Sequence, residues 1–179
     1  MMFSFFKRIR LRIRDIGTIK ELCLGAEKHA HKNGEETPGA EHFLLSAMDL
    51  SDGTAVRVFE RIGADPGAFG EAIRKQYADA LNSIGVDSDM IDSEDENAEI
   101  EAVRQRLYDA QPSGQFVMQQ LVELRKKDRD IPLLGAHVVD VVASMEHGVA
   151  ARSLNAMGVD RQALKAAIRD ELGRWDGGR

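Results

Sequence analysis

Few residues of this sequence have the types and spacing that support catalysis or metal binding. His29 and His31 lie two residues apart, so on a helix they point to different faces and do not converge on one metal ion. The single cysteine, Cys23, lies between two leucines and fits a small core position. No Ser-His-Asp set or comparable nucleophile arrangement can be picked out. We therefore expect no catalytic residue, no metal ion and no cofactor.

Acidic residues concentrate between positions 86 and 97, and a calcium loop is one interpretation of this stretch, VDSDMIDSEDEN. The EF-hand spacing D-x-[DN]-x-[DN]-G is absent, however, and no glycine supplies its turn. A solvated acidic connector is the better interpretation. Ser93 with Glu96 has the capping-box pattern and predicts a helix over about 94–110.

An internal repeat is the most informative feature of the sequence. Residues 41–74 align without a gap on residues 136–169, at an offset of 95 residues and with ten identities in 34 positions. Glycines and helix-start residues are among the identities, which favours duplication over chance. The identities pair His42 with His137, Gly53 with Gly148, Ala55 with Ala150, Arg57 with Arg152, Gly63 with Gly158, Asp65 with Asp160, Ala68 with Ala163, Ala72 with Ala167, Ile73 with Ile168 and Arg74 with Arg169.

His42 and His137 fall at equivalent predicted helix starts, one in each half. A paired metal site is one interpretation, but neither histidine has a carboxylate–histidine ligand pattern beside it. We interpret both as packed or capping residues near a helix start.

Capping patterns, stop glycines and apolar residues at helical spacing predict four helices in each half. The first half is predicted to hold helices over about 18–33, about 40–50, from Gly53 to Gly63 and from Pro66 onward. Thr18 with Glu21 forms a capping box for the first of these, and Asp65 caps the fourth. The second half is predicted to hold helices over about 113–127, 136–146, 148–157 and 161–173, the last capped by Asp160.

The expected fold is all-α: a pseudo-twofold bundle of two four-helix repeats, with an extra acidic connector and helix between the halves. The expected divisions are a basic and apolar arm (1–16), a first repeat (17–80), the connector with its helix (81–111) and a second repeat (112–175). The composition, 43% hydrophobic with only 6% aromatic residues, suits helices packed through small side chains.

The N-terminal arm is the most unusual segment, because basic and apolar residues alternate in it. Residues 1–14 carry five basic residues and no acid, which leaves −11 on the rest of the chain. As a strand the arm would have one apolar and one basic face; as a helix it would align Phe6, Ile9 and Ile13 as in a basic interfacial anchor. Three uses stay open: packing on its own domain or a second copy, binding anionic lipid, or docking an acidic partner or nucleic acid. The basic residues concerned are Lys7, Arg8, Arg10, Arg12 and Arg14.

Charge and hydropathy weigh against several classes of protein. An acidic body argues against general nucleic-acid binding, which requires a basic surface. No run approaches the roughly 18 apolar residues of a membrane span. In MMFSFFKRIRLRIR the charge follows the apolar stretch, the reverse of a secretory signal. We expect a cytoplasmic protein, with a location peripheral to the membrane as the alternative.

The stretch from Gly39 to Leu45, GAEHFLL, is followed by Asp52-Gly53-x-Ala55 and by a helix ending in the sequence GAD at 63–65. These residues resemble the repeat of the Clp ATPase N-terminal domain, whose pattern is G-T-E-H-[IL]-L-L, then a Gly-x-Ala helix, then G-V-D. The second half carries VAARSLN at 149–155 and GVD at 158–160. The resemblance covers about 18–76 and 113–173. It implies an eight-helix bundle that recruits substrates or adaptors to a Clp unfoldase and protease.

The resemblance also implies candidate recognition residues. Glu41 matches the family's T-E-H glutamate, which in some relatives holds the guanidinium of phosphoarginine, while helix N-terminal amides would bind the phosphate. A phosphoarginine-bearing peptide is therefore an implied partner, although Ala40 replaces the threonine and the second half has Gly135-Ala136-His137 without a glutamate. The candidate protein-binding residues are Glu41, His42, His137, Thr18 and Ser113.

Clp proteins continue into an ATPase domain, whereas the P-loop pattern G-x-x-x-x-G-K-[ST] does not occur here, so we expect no ATP binding. The main expectation is a non-enzymatic protein-recognition module, acting as an adaptor or decoy near Clp-dependent proteolysis and binding protein clients or Clp components. The alternative is a peripheral membrane protein anchored by residues 1–14. A weaker third option is a small-molecule or peptide sensor that uses a groove between the halves.

Overall fold

The computed structural model describes residues 2–83, 110–127 and 131–175, and all regular secondary structure within these ranges is helical. The predicted all-α class is therefore confirmed. The helices are α1 (Met2–Lys32), α2 (Ala40–Asp49), α3 (Thr54–Arg61), α4 (Ala68–Ser83), α5 (Pro112–Lys127), α6 (Gly135–Ala143), α7 (Val149–Ala156) and α8 (Arg161–Gly173). The acidic stretch 86–97 lies outside the described residues, as do residues 94–109 of the helix predicted over 94–110.

The first helix begins far earlier than the capping pattern predicts. α1 starts at Met2 and runs through Thr18, whose hydroxyl donates to the backbone carbonyl of Arg14 at 3.2 Å. The helix start predicted at Thr18 was therefore wrong, and the arm is helical rather than a strand. Arginine, leucine and methionine are good helix formers, and Gly17 alone is too weak a break to end the helix. The expected boundary between residues 16 and 17 falls inside α1.

The other helix boundaries deviate from the predictions by a few residues. α4 begins at Ala68 because Asp65 and Pro66 lie in a turn, where Oδ1 of Asp65 accepts from the N–H of Gly67 at 2.9 Å. α6 ends at Ala143, three residues early. α8 begins as predicted: the carboxylate of Asp160 accepts from the N–H of Gln162 at 2.7 Å and caps the helix.

α2 and α6 pack against each other at the centre of the molecule. A glycine permits this approach: a Cβ on Gly135 would lie 2.8 Å from the carbonyl oxygen of Ala47 and 3.1 Å from the Cβ of Ala55. Buried side chains from both halves form one cluster, so the halves share a single core. Its largest members include Phe43, Leu44, Phe59, Phe69, Ile73, Leu121, Leu154, Leu164 and Ile168.

The remaining helices surround this central pair. α1 packs on α2, and α5 packs on both α2 and α6. α3 packs on α8 and α4 packs on α7, so helices of the first half pack on helices of the second half. Gly63 and Gly158 end α3 and α7 with the same positive φ of 70°, a conformation that costs glycine least. None of the described helices combines the length and hydropathy needed to cross a membrane.

Candidate functional site

The two equivalent histidines cap the helices that they begin. Nδ1 of His42 accepts from the backbone N–H of Gly39 at 3.0 Å, and Nδ1 of His137 accepts from that of Leu134 at 3.1 Å. Both rings are buried, His42 completely. Because Nδ1 accepts, the neutral ring of His42 carries its proton on Nε2, which lies 3.2 Å from the amide nitrogen of Asn33. Two donors cannot bond each other, so the amide of Asn33 must turn its oxygen toward Nε2 to accept this proton. Each histidine serves its own helix, in agreement with the capping interpretation.

His42 is therefore expected to stay neutral far into the acid range. Burial, followed by the nearby His29, lowers the pKa of His42 to about 4. Because folding lowers the pKa of His42, the contribution of its ring to stability is complete above the pKa of the unfolded state, near 6.5. This contribution is lost as the pH falls toward 4. An NMR titration of the imidazole should give a midpoint near 4; a midpoint near 6.5 would show that the ring is solvated.

Glu41 is engaged within the chain. Its side chain is 2% exposed, and Oε1 accepts from the hydroxyl of Tyr77 in α4 at 2.7 Å. Burial, followed by the charge of Glu41, raises the pKa of Tyr77, so this hydroxyl remains a donor. Burial and then Glu41 also raise the pKa of Glu35, whose Oε2 lies 3.3 Å from the donating side-chain amide of Gln111. A guanidinium that paired with both oxygens of Glu41 would compete with the hydroxyl of Tyr77 for Oε1.

Ser113 joins this cluster, but Thr18 does not. The hydroxyl oxygen of Ser113, in the first turn of α5, accepts from the backbone N–H of Ala40 at 3.2 Å. The structure thus brings Glu41, His42 and Ser113 together at the start of α2. Thr18 lies within α1 and bonds only its own helix backbone among the contacts described, while His137 lies at the start of α6.

The start of α6 is capped by residues that the sequence did not single out for this role. Oδ2 of Asp52 accepts from the N–H of Gly135 at 3.1 Å, and the hydroxyl of Thr54 accepts from the N–H of Ala136 at 2.8 Å. Oδ1 of Asp52 also accepts from the N–H of Thr54 at 2.8 Å, which fixes the loop between α2 and α3. The Asp-Gly-Thr sequence is typical of a turn leading into a helix, but its second partner, α6, is visible only in the fold.

A buried ion pair attaches the end of the arm, at Asp15, to the rest of the protein. Asp15 is 8% exposed, and its carboxylate accepts from Arg125 of α5 at 2.7 Å and from the N–H of Leu133 at 2.7 Å. Arg14 lies 5.1 Å from the ring centroid of Trp175, within cation–π range. Arg10 and Arg12 are exposed. The side chains of residues 2–9, Lys7 and Arg8 among them, lie outside the described part of the structure.

A second ion pair, between a buried glutamate and two partly exposed arginines, joins the two halves. Glu171 of α8 is 6% exposed and accepts from Nε of Arg57 at 2.6 Å and from Arg61 at 2.8 and 3.1 Å. At the positions 95 residues away, Nε of Arg152 donates to Oε1 of Gln76 at 3.2 Å. Burial alone would raise the pKa of Glu171, but hydrogen bonds from the two arginines of α3 outweigh it and hold that pKa below its usual value.

Glu27 is a buried acid on α1 that the sequence did not bring to notice. It is 5% exposed, and within the described residues its Oε2 has no hydrogen-bond partner. Burial raises the pKa of Glu27 to about 7. The neighbouring Cys23 packs against the core, and burial followed by Glu27 raises its thiol pKa.

We expect Glu27 to lower the free energy of unfolding, and to lower it more as the pH rises. Because folding raises this pKa, the folded state binds the extra proton, so stability is lost as the pH rises from about 4.5 to about 7. Glu27→Gln should therefore stabilise the protein at pH 8 by about 1–2 kcal/mol and change little at pH 4.5. Chemical unfolding at both pH values measures this, with the exposed Glu21→Gln as control. Equal effects at the two pH values would contradict the assignment.

No group of three or more histidine, cysteine, aspartate or glutamate side chains within residues 2–83, 110–127 and 131–175 is placed to hold a metal ion. The protein belongs to the class of helical proteins, and within its described polar clusters the side chains form capping hydrogen bonds and ion pairs. A scan of the chain against protein-family models found no matching family, and a search of curated proteins found no similar sequence.

Proposed function

We propose that this chain is a non-enzymatic protein-recognition module. It is built as two helical repeats similar to the Clp ATPase N-terminal domain, and it binds substrates or adaptors in connection with Clp-dependent proteolysis. The observation that carries the proposal is the equivalence of contacts at positions 95 residues apart. The resemblance in the motifs of both halves supplies the link to Clp proteins.

Capping contacts support the repeat arrangement first. His42 and His137 bond the backbone three residues before them in the same way, through Nδ1. α3 and α7 have the same length and begin at Thr54 and Val149, again 95 residues apart. A chance likeness between short motifs would not be expected to reproduce the helix bounds and the capping hydrogen bonds together.

Contacts between the halves support a twofold relation. If the halves are related by a twofold axis, the packing of α3 on α8 corresponds to that of α7 on α4. The packing of α3 on α6 then corresponds to that of α7 on α2. All four of these contacts occur. The pair Arg57–Glu171 likewise corresponds to Arg152–Gln76. Such an arrangement leaves the outer surfaces of the helices available for contact with a protein partner, which is consistent with the proposed recognition role.

Affinity capture from the host's lysate with mass spectrometry tests the proposal. The baits are the intact protein, a variant Ile13→Ser/Ile16→Ser altered only on the exposed face of α1, and an unrelated acidic helical protein as control. We expect both specific baits to enrich Clp ATPase or protease subunits, and the intact protein to bind a purified Clp component directly. Enrichment no greater than with the control bait, together with no direct binding, would refute the proposal.

The same assay addresses phosphoarginine. Because Glu41 is buried and bonded to Tyr77, we expect free phosphoarginine not to compete with captured partners. Competition that Glu41→Gln abolishes would show that Glu41 exchanges the hydroxyl of Tyr77 for a guanidinium.

A further inference from the structure

We propose that the outer face of α1 is a docking surface for an anionic membrane. We define this outer face by Ile13, Ile16 and Lys20. Ile13 is 66% exposed and Ile16 is 62% exposed, more than any other large hydrophobic side chain in the described residues. They lie three residues apart on one side of the helix, and the exposed Lys20 lies one turn beyond Ile16. The proposal does not depend on the proposed function.

The opposite side of α1 is held to the body, which fixes the orientation of this face. Asp15, Leu22 and Ala26 are buried, and at 3.6 residues per turn they lie on the side away from Ile13. The bonds from Asp15 to Arg125 and Leu133 fasten the helix at this point. Burial of Ile13 and Ile16 therefore requires something outside the described part of the chain.

The apolar row continues toward the N-terminus in the sequence. α1 is helical from Met2, and in the sequence apolar residues recur at helical spacing from Met2 through Phe6 and Ile9 to Ile13 and Ile16. A row of this length with basic residues beside it is the pattern of helices that lie in the plane of a membrane interface.

The positive charge beside the outer face of α1 indicates that its binding partner has an acidic surface. Residues 7–14 contain five basic residues and no acid, and the exposed Arg10 and Arg12 lie beside the outer face. The first acid after them, Asp15, is turned inward and paired with Arg125, so it does not offset their charge at the surface. Basic residues beside an inserting apolar row attract anionic lipid headgroups.

A lipid surface matches this geometry better than a protein groove. The remaining exposed large hydrophobics, Phe116 and Val122, lie on a different helix, α5, and six residues apart, so they do not extend the row. A single apolar row along one helix, with basic residues beside it, matches the surface of a bilayer, where anionic headgroups cover an apolar interior. The acidic body of a second copy would match the charge but supplies no such apolar plane in the described residues.

Vesicle co-sedimentation with the full-length protein tests the inference. The vesicles contain either equal parts phosphatidylcholine and phosphatidylglycerol or phosphatidylcholine alone. We expect binding to the mixed vesicles to exceed binding to neutral ones by at least about tenfold, and to weaken with salt. Ile13→Ser/Ile16→Ser and Arg10→Gln/Arg12→Gln should each reduce binding on the order of tenfold. All four side chains are exposed, so circular dichroism and thermal unfolding should match those of the unaltered protein.

Matched controls make the same changes elsewhere. Val122→Ser removes an exposed apolar residue from α5, and Lys165→Gln/Arg169→Gln neutralises two exposed basic residues on α8. Both controls should bind mixed vesicles like the unaltered protein. Absence of binding to mixed vesicles, or equal losses in the controls, would overturn the proposal. So would concentration-dependent self-association that the Ile13→Ser/Ile16→Ser variant abolishes without vesicle binding, because α1 would then be an interface between copies.

Discussion

Asp15→Ala should destabilise the protein by about 3 kcal/mol and lower Tm by about 6–12 °C. The substitution removes the acceptor for the N–H of Leu133, which is buried, and the carboxylate that accepts from Arg125 at 2.7 Å. Arg125 is only 17% exposed on its side chain, so water cannot fully replace the lost partner. The effect should be large because one side chain joins α1, α5 and the segment before α6.

Two variants make this prediction specific. Asp15→Asn keeps an oxygen for the N–H of Leu133 but loses the charge, and about half of the effect is expected. Asp170→Ala, an exposed acid on α8, should change stability by less than about 0.5 kcal/mol. Chemical unfolding and a double-mutant cycle with Arg125→Met measure the coupling. A loss for Asp15→Ala no larger than that for Asp170→Ala would mean that the pair does not hold α1 to the body.

Glu171→Ala should cost about 2 kcal/mol at pH 7. Its carboxylate accepts from Arg57 and Arg61, and its removal leaves two like charges of α3 side by side. The loss should be smaller than for Asp15 because the side chains of Arg57 and Arg61 are 44% and 28% exposed and can turn toward water. Since the pair joins α3 to α8, this cost falls on the contact between the halves.

The position 95 residues earlier offers a matched comparison. Gln76 occupies it and accepts from Arg152, so Glu171→Gln gives one interface the pairing that the other already has, at an expected cost of about 1 kcal/mol. The reverse change, Gln76→Glu, should alter stability by less than about 0.5 kcal/mol because Arg152 is exposed.

Unfolding free energies of the Glu171 variants across pH supply the remaining test. Folding lowers the pKa of Glu171, so its contribution is present above the ordinary carboxyl pKa and is lost as the pH falls through the folded value. The difference between the unaltered protein and Glu171→Gln should therefore shrink below about pH 4. A difference that stays constant from pH 7 to pH 3 would contradict the ion-pair assignment.

Local features of the fold were predictable because they depend on residues close in sequence. The cap of α8 by Asp160 and the glycines that end α3 and α7 involve atoms within a few residues, so residue type and spacing suffice. The placement of both histidines near a helix start also follows from position, whereas the choice between packing and capping is made by the hydrogen bonds of the structure. The start of α1 was mispredicted because Thr18 and Glu21 match a capping box equally well inside a longer helix, where the hydroxyl bonds to Arg14.

By itself the sequence determined the helical class, the repeat at an offset of 95 residues and most helix bounds, all properties of local spacing and composition. Only the tertiary structure decided which polar residues are buried and with whom they pair. Asp15 meets Arg125 and Glu171 meets Arg57 across more than a hundred residues, and Glu41 meets Tyr77 from another helix. Such pairs depend on how helices dock, and docking is set by shape and burial over the whole core, which no short pattern encodes.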